Sequence, residues 1–232
     1  MVARLAQERI SSRASMRSRL VFSKGVKFDD LASQGYNLLQ GRPDAEPWRS
    51  ITIPPQATAV DLRRDCPIGD CVTVKLREQV GIVRLSIKEK PSVRQAFQYA
   101  LVLAVDMHQP LNVGYPPGTD GDGSEVMLRG EPTTLYEVWE SGLFADEDEE
   151  ALADRIRARV AAADAREWSL GTLKTWTWDT HETAVKVAYG TLPSGSPPAL
   201  TEDYLSRARE AAENELAKAV VRLAVLINDM WP

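Results

Sequence analysis

The residues best suited to chemistry meet in the segment DMHQPLNVG at positions 106–114. Asp106 and His108 follow an apolar segment that is typical of a buried helix, and Pro110 ends that helix. Ionisable groups at a buried helix end are costly unless they are paired or hold a ligand. The segment therefore predicts either a hydrogen-bonded helix terminus or a reactive site, and composition alone favours the terminus.

The counts of metal-binding residue types limit which metal sites are possible. The chain has two histidines, His108 and His181, and two cysteines. A zinc site takes about four nitrogen, sulfur or carboxylate ligands, so these residues cannot assemble a multi-histidine zinc site. The segment DGDGS at 120–124 begins like a calcium loop, but Glu125 stands where that loop needs glycine. No metal cofactor is expected.

Cys66 and Cys71 lie in the segment DCPIGDC, where Pro67 and Gly69 favour a turn. The spacing alone leaves a disulfide and two free thiols about equally open. A disulfide across so short a loop would stabilise a local turn, and it would imply an oxidising compartment at some stage. No secretion signal is visible in the sequence, so the localisation is not indicated otherwise.

Length and charge bound the class of protein. The chain has 232 residues, which we interpret as a single domain over 1–232, and its formal net charge is -5. No basic footprint for a phosphate backbone is present, which argues weakly against a nucleic-acid partner. No apolar run approaches the ~20 residues of a membrane-spanning helix, so no membrane partner is expected either. The oligomeric state is not indicated.

Helical periodicity dominates the elements that must position these residues. Apolar residues at helical spacing predict helices over residues 92–108, 146–168 and 201–229, and an N-terminal helix whose apolar face runs from Val2 to Ile10. Short strands are predicted at 51–53 and 125–128, and connecting loops at 114–124 and 190–198. The sequence therefore predicts a mainly α fold, a multi-helix bundle with long loops and at most a short β-hairpin.

The segment DMHQPLNVG also closely resembles the signature of the zinc-dependent single-strand nucleases, the family of the fungal single-strand and plant bifunctional nucleases. Similar segments follow in the family's order along nearly the whole chain: PWRSITIP (47–54), RDCPIGDCV (64–72), TLYEVWESGLF (134–144), WTWDTHETAVKVAYG (176–190) and AKAVVRLAVLIND (217–229). The resemblance implies a fold like that of zinc phospholipase C. It also implies that Cys66 and Cys71 form the family's disulfide.

The family binds three zinc ions with nine residues, and the resemblance implies that most of these ligands are replaced here. Only Asp106 is retained, Glu140 is a possible substitute for an aspartate, and the family's N-terminal tryptophan and histidine have no counterpart. The remaining ligand positions carry Tyr36, Arg49, Val102, Asn112 and Tyr136. The residues that contact the nucleotide correspond to Leu39, Ser50 and Thr52, and His108 corresponds to a histidine that is not a ligand. The sequence thus resembles a degenerate member of the family that is not a zinc nuclease.

The altered cleft mixes apolar, aromatic and charged residues, which is typical of a small-molecule pocket. We expect a metal-independent biosynthetic enzyme in which Asp106 or Glu140 acts as acid or base. Tyr36 or Tyr136 would donate hydrogen bonds and Arg49, paired with Asp106 or Glu140, would anchor an anion. Asn112, Val102 and Leu39 would contact the ligand. Two alternatives stay open: a non-catalytic binding or scaffold protein, and a residual phosphoesterase with magnesium on Asp106 and Glu140.

Overall fold

The computed structural model describes residues 1–22, 25–86, 91–114, 124–163 and 165–232, and its regular structure is almost entirely helical. The α-helices of these ranges are α1 (Val2–Gln7), α2 (Ser12–Phe22), α3 (Phe28–Gln40), α4 (Leu62–Asp65), α5 (Val72–Arg84), α6 (Pro91–Asp106), α7 (Leu135–Glu140), α8 (Glu149–Ala162), α9 (Ala165–Ser169), α10 (Leu173–Thr183) and α11 (Glu202–Met230). One antiparallel hairpin joins β1 (Glu125–Leu128) to β2 (Glu131–Thr134). The predicted mainly α class with a short hairpin is confirmed.

Helix α6 forms the centre of the bundle because it is apolar on nearly every face. Eleven of its residues are buried, among them Phe97, Leu101 and Leu103. A helix that is apolar all round must be covered on all sides, and α3, α5 and α11 pack against it here. The carboxyl end of α6 carries Asp106, so the central helix delivers this residue into the interior of the protein.

Helices α3 and α6 approach each other closely at Gly35. A Cβ atom added at this position would lie 2.5 Å from the carbonyl oxygen of Gln98 on α6, a distance that real Cβ atoms do not adopt. Only glycine therefore allows α3 to lie this near to α6. The close contact places the neighbouring residue, Tyr36, beside the end of α6.

We expect Gly35→Ala to lower the free energy of unfolding by about 1–3 kcal/mol, because the added methyl group would force the two helices apart. Chemical denaturation of the purified variant measures this difference. Gly81→Ala is the matched control, because a Cβ at Gly81 of α5 would meet no atom within 4 Å. That control should be neutral or stabilising by up to about 1 kcal/mol. Equal stability of the two variants would contradict the tight packing of α3 on α6.

A second group of buried residues supports the short helix α7 from beneath. The indole nitrogen of Trp139 donates a hydrogen bond to the Tyr204 hydroxyl group at 2.9 Å, and that hydroxyl donates to the carbonyl of Ala188 at 2.9 Å. These contacts join α7 to α11 and to the π-helical segment Ala184–Tyr189. Both polar groups are satisfied inside the core, so the orientation of α7 is fixed by hydrogen bonds as well as by packing.

Several local predictions need correction. The strand at 51–53 is wrong: the segment is extended, but it makes a single backbone bond from Ile51 to Asn112 at 2.8 Å instead of a ladder. The helix over 146–168 is divided, because Ala163 adopts extended backbone after α8, and no residue type nearby explains the break. Ile10 lies beyond the end of α1. Residues 115–123 of the loop at 114–124 lie outside the described residues.

Other predictions agree with the structure. The strand at 125–128 is confirmed as β1, and the helix over 201–229 as α11, which Thr201 caps through its hydroxyl group. The helix over 92–108 ends two residues early, at Asp106. Cys66 and Cys71 form a disulfide with a sulfur–sulfur distance of 2.10 Å. Within the described residues, no helix combines the length and apolar character needed to cross a lipid bilayer.

Candidate functional site

An ion pair between Arg49 and Asp106 lies at the centre of the site. The Arg49 Nε and Nη2 atoms each donate a hydrogen bond to a different oxygen of Asp106, both at 2.9 Å. Arg49 ends the 3-10 helix Pro43–Arg49, and the adjacent Trp48 packs edge-on against Tyr99 of α6. The bidentate geometry, which fixes both side chains, is the strongest form of an arginine–carboxylate contact.

Burial and charge act on this pair in opposite directions. The Asp106 side chain is only 8% exposed, and burial raises the pKa of its carboxyl group to about 6 although the bonds from Arg49 lower it. The carboxylate in turn raises the pKa of Arg49 above its usual range. Both groups are thus charged at neutral pH. Arg49 also offsets the negative end of α6, where an isolated carboxylate would be unfavourable.

One face of α3 forms a wall beside this ion pair. Tyr36 is 42% exposed, and the Arg49 guanidinium carbon lies 5.3 Å from the centre of its ring. The same face presents Asp29, Ser33 and Asn37, which follow at spacings of four residues. The opposite face of α3 is buried in the core. Tyr36 and Arg49 therefore form a cation–π contact at the edge of the cleft.

Helix α7 supplies the facing wall. Its first turn is closed by a capping box, in which the Thr134 hydroxyl accepts from the Glu137 amide and the Glu137 carboxylate accepts from the Thr134 amide. Trp139 fixes the buried side of the helix. Tyr136 and Glu140, one turn apart on the other side, consequently face the cleft.

Three cavities meet around these residues. The first, which we name the α3 compartment, has a volume of about 730 Å³; the second, the α7 compartment, has about 810 Å³; the third has about 180 Å³. Tyr36 and Arg49 line both large compartments and therefore lie at their boundary. Glu140 lines all three cavities, and Asp106 lines the α3 compartment and the small one.

The structure brings together seven of the eight residues that the sequence placed in the cleft: Tyr36, Arg49, Val102, Asp106, Asn112, Tyr136 and Glu140. Leu39 lies apart from this group. Leu39 is 3% exposed and shares the core face of α3 with Phe28 and Leu31, because all three follow one helical stripe. The sequence analysis missed Asp29, Ser33 and Asn37, although their spacing with Tyr36 is itself a helical signal.

His108 is buried behind the site and makes structural hydrogen bonds. Its Nδ1 atom lies 2.7 Å from the carbonyl oxygen of Ala104, and its Nε2 atom lies 3.2 Å from the Arg222 guanidinium. An arginine only donates, so Nε2 is the acceptor and the ring is neutral with its proton on Nδ1. Burial, together with the charge of Arg222, lowers the pKa of His108 to about 3.

Sequence comparison with known proteins identifies the family of this chain. The family model described as S1/P1 Nuclease matches residues 1–231. The chain belongs to the S1/P1 nuclease family. It is similar to Nuclease S1 of Aspergillus oryzae, with 23% identity over 198 residues that cover 75% of this chain and 67% of that relative. The resemblance that the sequence segments carry is therefore confirmed at the level of the family.

The residues of the cleft do not fit the zinc ions that this S1/P1 family resemblance implies. Both oxygens of Asp106 accept hydrogen bonds from Arg49, whose guanidinium keeps its proton in proteins and cannot be a ligand. Val102 offers no donor atom at all. Across the described ranges, no group of three or more histidine, cysteine, aspartate or glutamate side chains is placed to hold a metal ion. We therefore derive no chemistry through zinc.

Proposed function

We propose that this S1/P1-family protein does not use a zinc cluster and instead binds and converts a small neutral or cationic organic molecule in the two compartments of the cleft. The bidentate Arg49–Asp106 ion pair carries this proposal. A fixed cation bonded to the one retained family ligand is incompatible with a metal ion on that ligand, since the two would compete for the same oxygens.

The charges around the cleft support a substrate that is not an anion. Six carboxylate residues line the two large compartments: Asp29, Glu46, Asp106, Glu137, Glu140 and Glu149. Arg49 is the single arginine or lysine among the described lining residues, and the Met1 amino group lies 3.2 Å from Asp29 and 3.3 Å from Glu149. The charge of Arg49 is already balanced by Asp106. Phosphate groups need cations to offset their charge, so nucleic acid would be repelled here.

The geometry suggests different roles for the two carboxylates. Asp106 uses both oxygens on Arg49, and we therefore assign it as a positioning residue. Glu140 is exposed and lines all three cavities of the cleft, which suits a group that exchanges protons with a ligand. Tyr136 and Tyr36 both line the α7 compartment and would contact the ligand. Arg49 would anchor a polar oxygen of the substrate.

The first test measures metal binding and nuclease activity. The purified protein, supplied with zinc, is assayed for bound metal and for hydrolysis of single-stranded DNA. We expect substoichiometric zinc and no hydrolysis above background. Stoichiometric zinc together with hydrolysis that Asp106→Asn abolishes would refute the proposal. The asparagine variant keeps the shape of the side chain but not its charge, so its folding is checked by circular dichroism before activities are compared.

The second test identifies the class of ligand. A small-molecule library divided by charge is screened by thermal shift, and we expect cationic and neutral compounds to bind while nucleoside monophosphates do not. Glu140→Gln should weaken cationic ligands about tenfold. Glu210→Gln, on the exposed face of α11, is the control and should change nothing. Preferential binding of nucleotides would overturn the assignment of substrate class.

A non-catalytic binding protein is the second candidate, and one observation favours it. The buried carboxyl group that the sequence suggests as an acid or base, Asp106, has both of its oxygens bonded to Arg49. Incubating each confirmed ligand with the protein and following it by mass spectrometry separates the candidates. Conversion that Glu140→Gln abolishes even at a ligand concentration that saturates the variant indicates an enzyme. An unchanged ligand indicates a binding protein.

A further inference from the structure

Helix α2 presents an unusual outer face. Its buried stripe consists of Ala14, Ser18 and Phe22, which repeat every four residues. At about 100° of rotation per residue, Met16 and Leu20 lie on the side directly opposite this stripe. Both are strongly exposed, at 57% and 68% of their surface. Two apolar side chains thus form a crest along the solvent face of α2.

Arginines flank this crest on both sides. At the same rotation per residue, Arg13 and Arg17 lie to one side of Met16 and Leu20, and Arg19 lies to the other. None of the three guanidinium groups has a carboxylate partner in the part of the chain that the structure describes. The face is therefore strongly basic on a chain whose formal net charge is -5.

The helix is held firmly in place, so this face is preformed. The Ser11 amide before α2 donates to the Asn228 side chain of α11 at 2.8 Å, and the Ser11 hydroxyl accepts from the Ala14 amide at 3.1 Å. At the far end of α2, the ring of Phe22 lies 4.7 Å from that of Phe97. The crest thus points outward because the opposite side of the helix is anchored in the core.

We propose that the outer face of α2 docks on an anionic lipid surface. An apolar crest with two arginines on one side and one on the other matches the geometry of a helix that lies in the plane of a membrane, with its crest among the acyl chains and its cations at the headgroups. A spanning helix is not needed for this mode of binding. Charge complementarity selects anionic lipids, since each arginine near such a surface adds to the attraction.

This face is remote from the cleft. Phe97, which contacts α2, precedes Asp106 by nine residues on α6, a distance of about 13 Å along the helix axis. The proposal is therefore independent of what the cleft binds, and either can fail without the other.

Co-sedimentation of the full chain with vesicles tests the proposal. We expect binding to phosphatidylcholine vesicles that contain phosphatidylserine to be at least about tenfold stronger than to phosphatidylcholine alone, and to weaken as salt rises. The crest variant Met16→Ser with Leu20→Ser should weaken binding about tenfold or more. Replacing Arg13, Arg17 and Arg19 with glutamine should weaken it about a hundredfold.

Matched controls use exposed residues elsewhere on the surface. Ile68→Ser with Leu170→Ser removes two equally exposed apolar residues, and Arg63→Gln with Arg77→Gln removes two exposed arginines. Both controls should bind like the unmodified chain. Equal binding to neutral and anionic vesicles, or an unaffected crest variant, would overturn the proposal. The proposal would also be overturned if a single-stranded oligonucleotide bound as tightly as the vesicles and the crest variant did not change that binding. Such a result would show that the face binds polyanions in general.

Discussion

Asp106→Ala is expected to lower the free energy of unfolding by about 3 kcal/mol, because it leaves the Arg49 guanidinium largely buried with no counter-charge. The Arg49 side chain is 13% exposed, and its Nε and Nη2 atoms would both lose their acceptors. Chemical denaturation at neutral pH measures the difference. This is a larger effect than a surface ion pair would give, since exposed pairs contribute about 0–1 kcal/mol.

A double variant separates the charge effect from loss of packing. Arg49→Met combined with Asp106→Leu removes both charges and keeps most of the volume, and we expect a stability close to that of the unmodified chain. A double variant that is as unstable as Asp106→Ala would show that the ion pair is not what the single variant disrupts. An Asp106→Ala variant of unchanged stability that loses bound zinc would instead identify Asp106 as a metal ligand.

Acid should destabilise the protein through His108 between about pH 6.5 and pH 3. Burial lowers the pKa of this imidazole to about 3. Between these pH values His108 is therefore protonated in the unfolded chain and neutral in the folded chain. Stability therefore falls as the pH is lowered, by about 1.4 kcal/mol per pH unit for one proton, or roughly 3–5 kcal/mol across the window. Denaturation measured at a series of pH values reports this slope.

The contribution of Asp106 has the opposite sign over part of this range. Its pKa is raised to about 6, so below that pH the folded state takes up a proton that the unfolded chain does not yet bind. The two effects oppose each other between about pH 6 and pH 4, and His108 must be isolated by substitution. Glutamine at 108 can still donate to Ala104 and accept from Arg222 without titrating. If His108→Gln retains the full pH dependence, the assignment is wrong.

Much of the fold could be predicted because its signals are local. Helices α6 and α11 follow from apolar periodicity, and the hairpin strand β1 from a short apolar run after a glycine-rich segment. The family resemblance added the disulfide between Cys66 and Cys71, which the spacing alone left open. The same resemblance grouped eight residues in one cleft, and seven of them line the cavities of the structure.

The remaining features depend on tertiary contacts that a single sequence does not encode locally. Whether Arg49 would pair with Asp106 or with Glu140 depends on where two distant segments meet, and only the fold decides it for Asp106. The fold also decides that Leu39 lies in the core, because its burial depends on how α3 is rotated about its own axis. The β-branched residues Ile51 and Ile53 predict a strand, but within the described ranges their segment pairs with no other strand.

The pairing of Arg49 with Asp106 makes each residue a constraint on the evolution of the other. Replacing Arg49 alone would leave the buried Asp106 carboxylate without a cation. Replacing Asp106 alone would leave the Arg49 guanidinium without a counter-charge. Every single-step route away from the present pair passes through a less stable protein. The two positions are therefore expected to vary together among relatives of this chain.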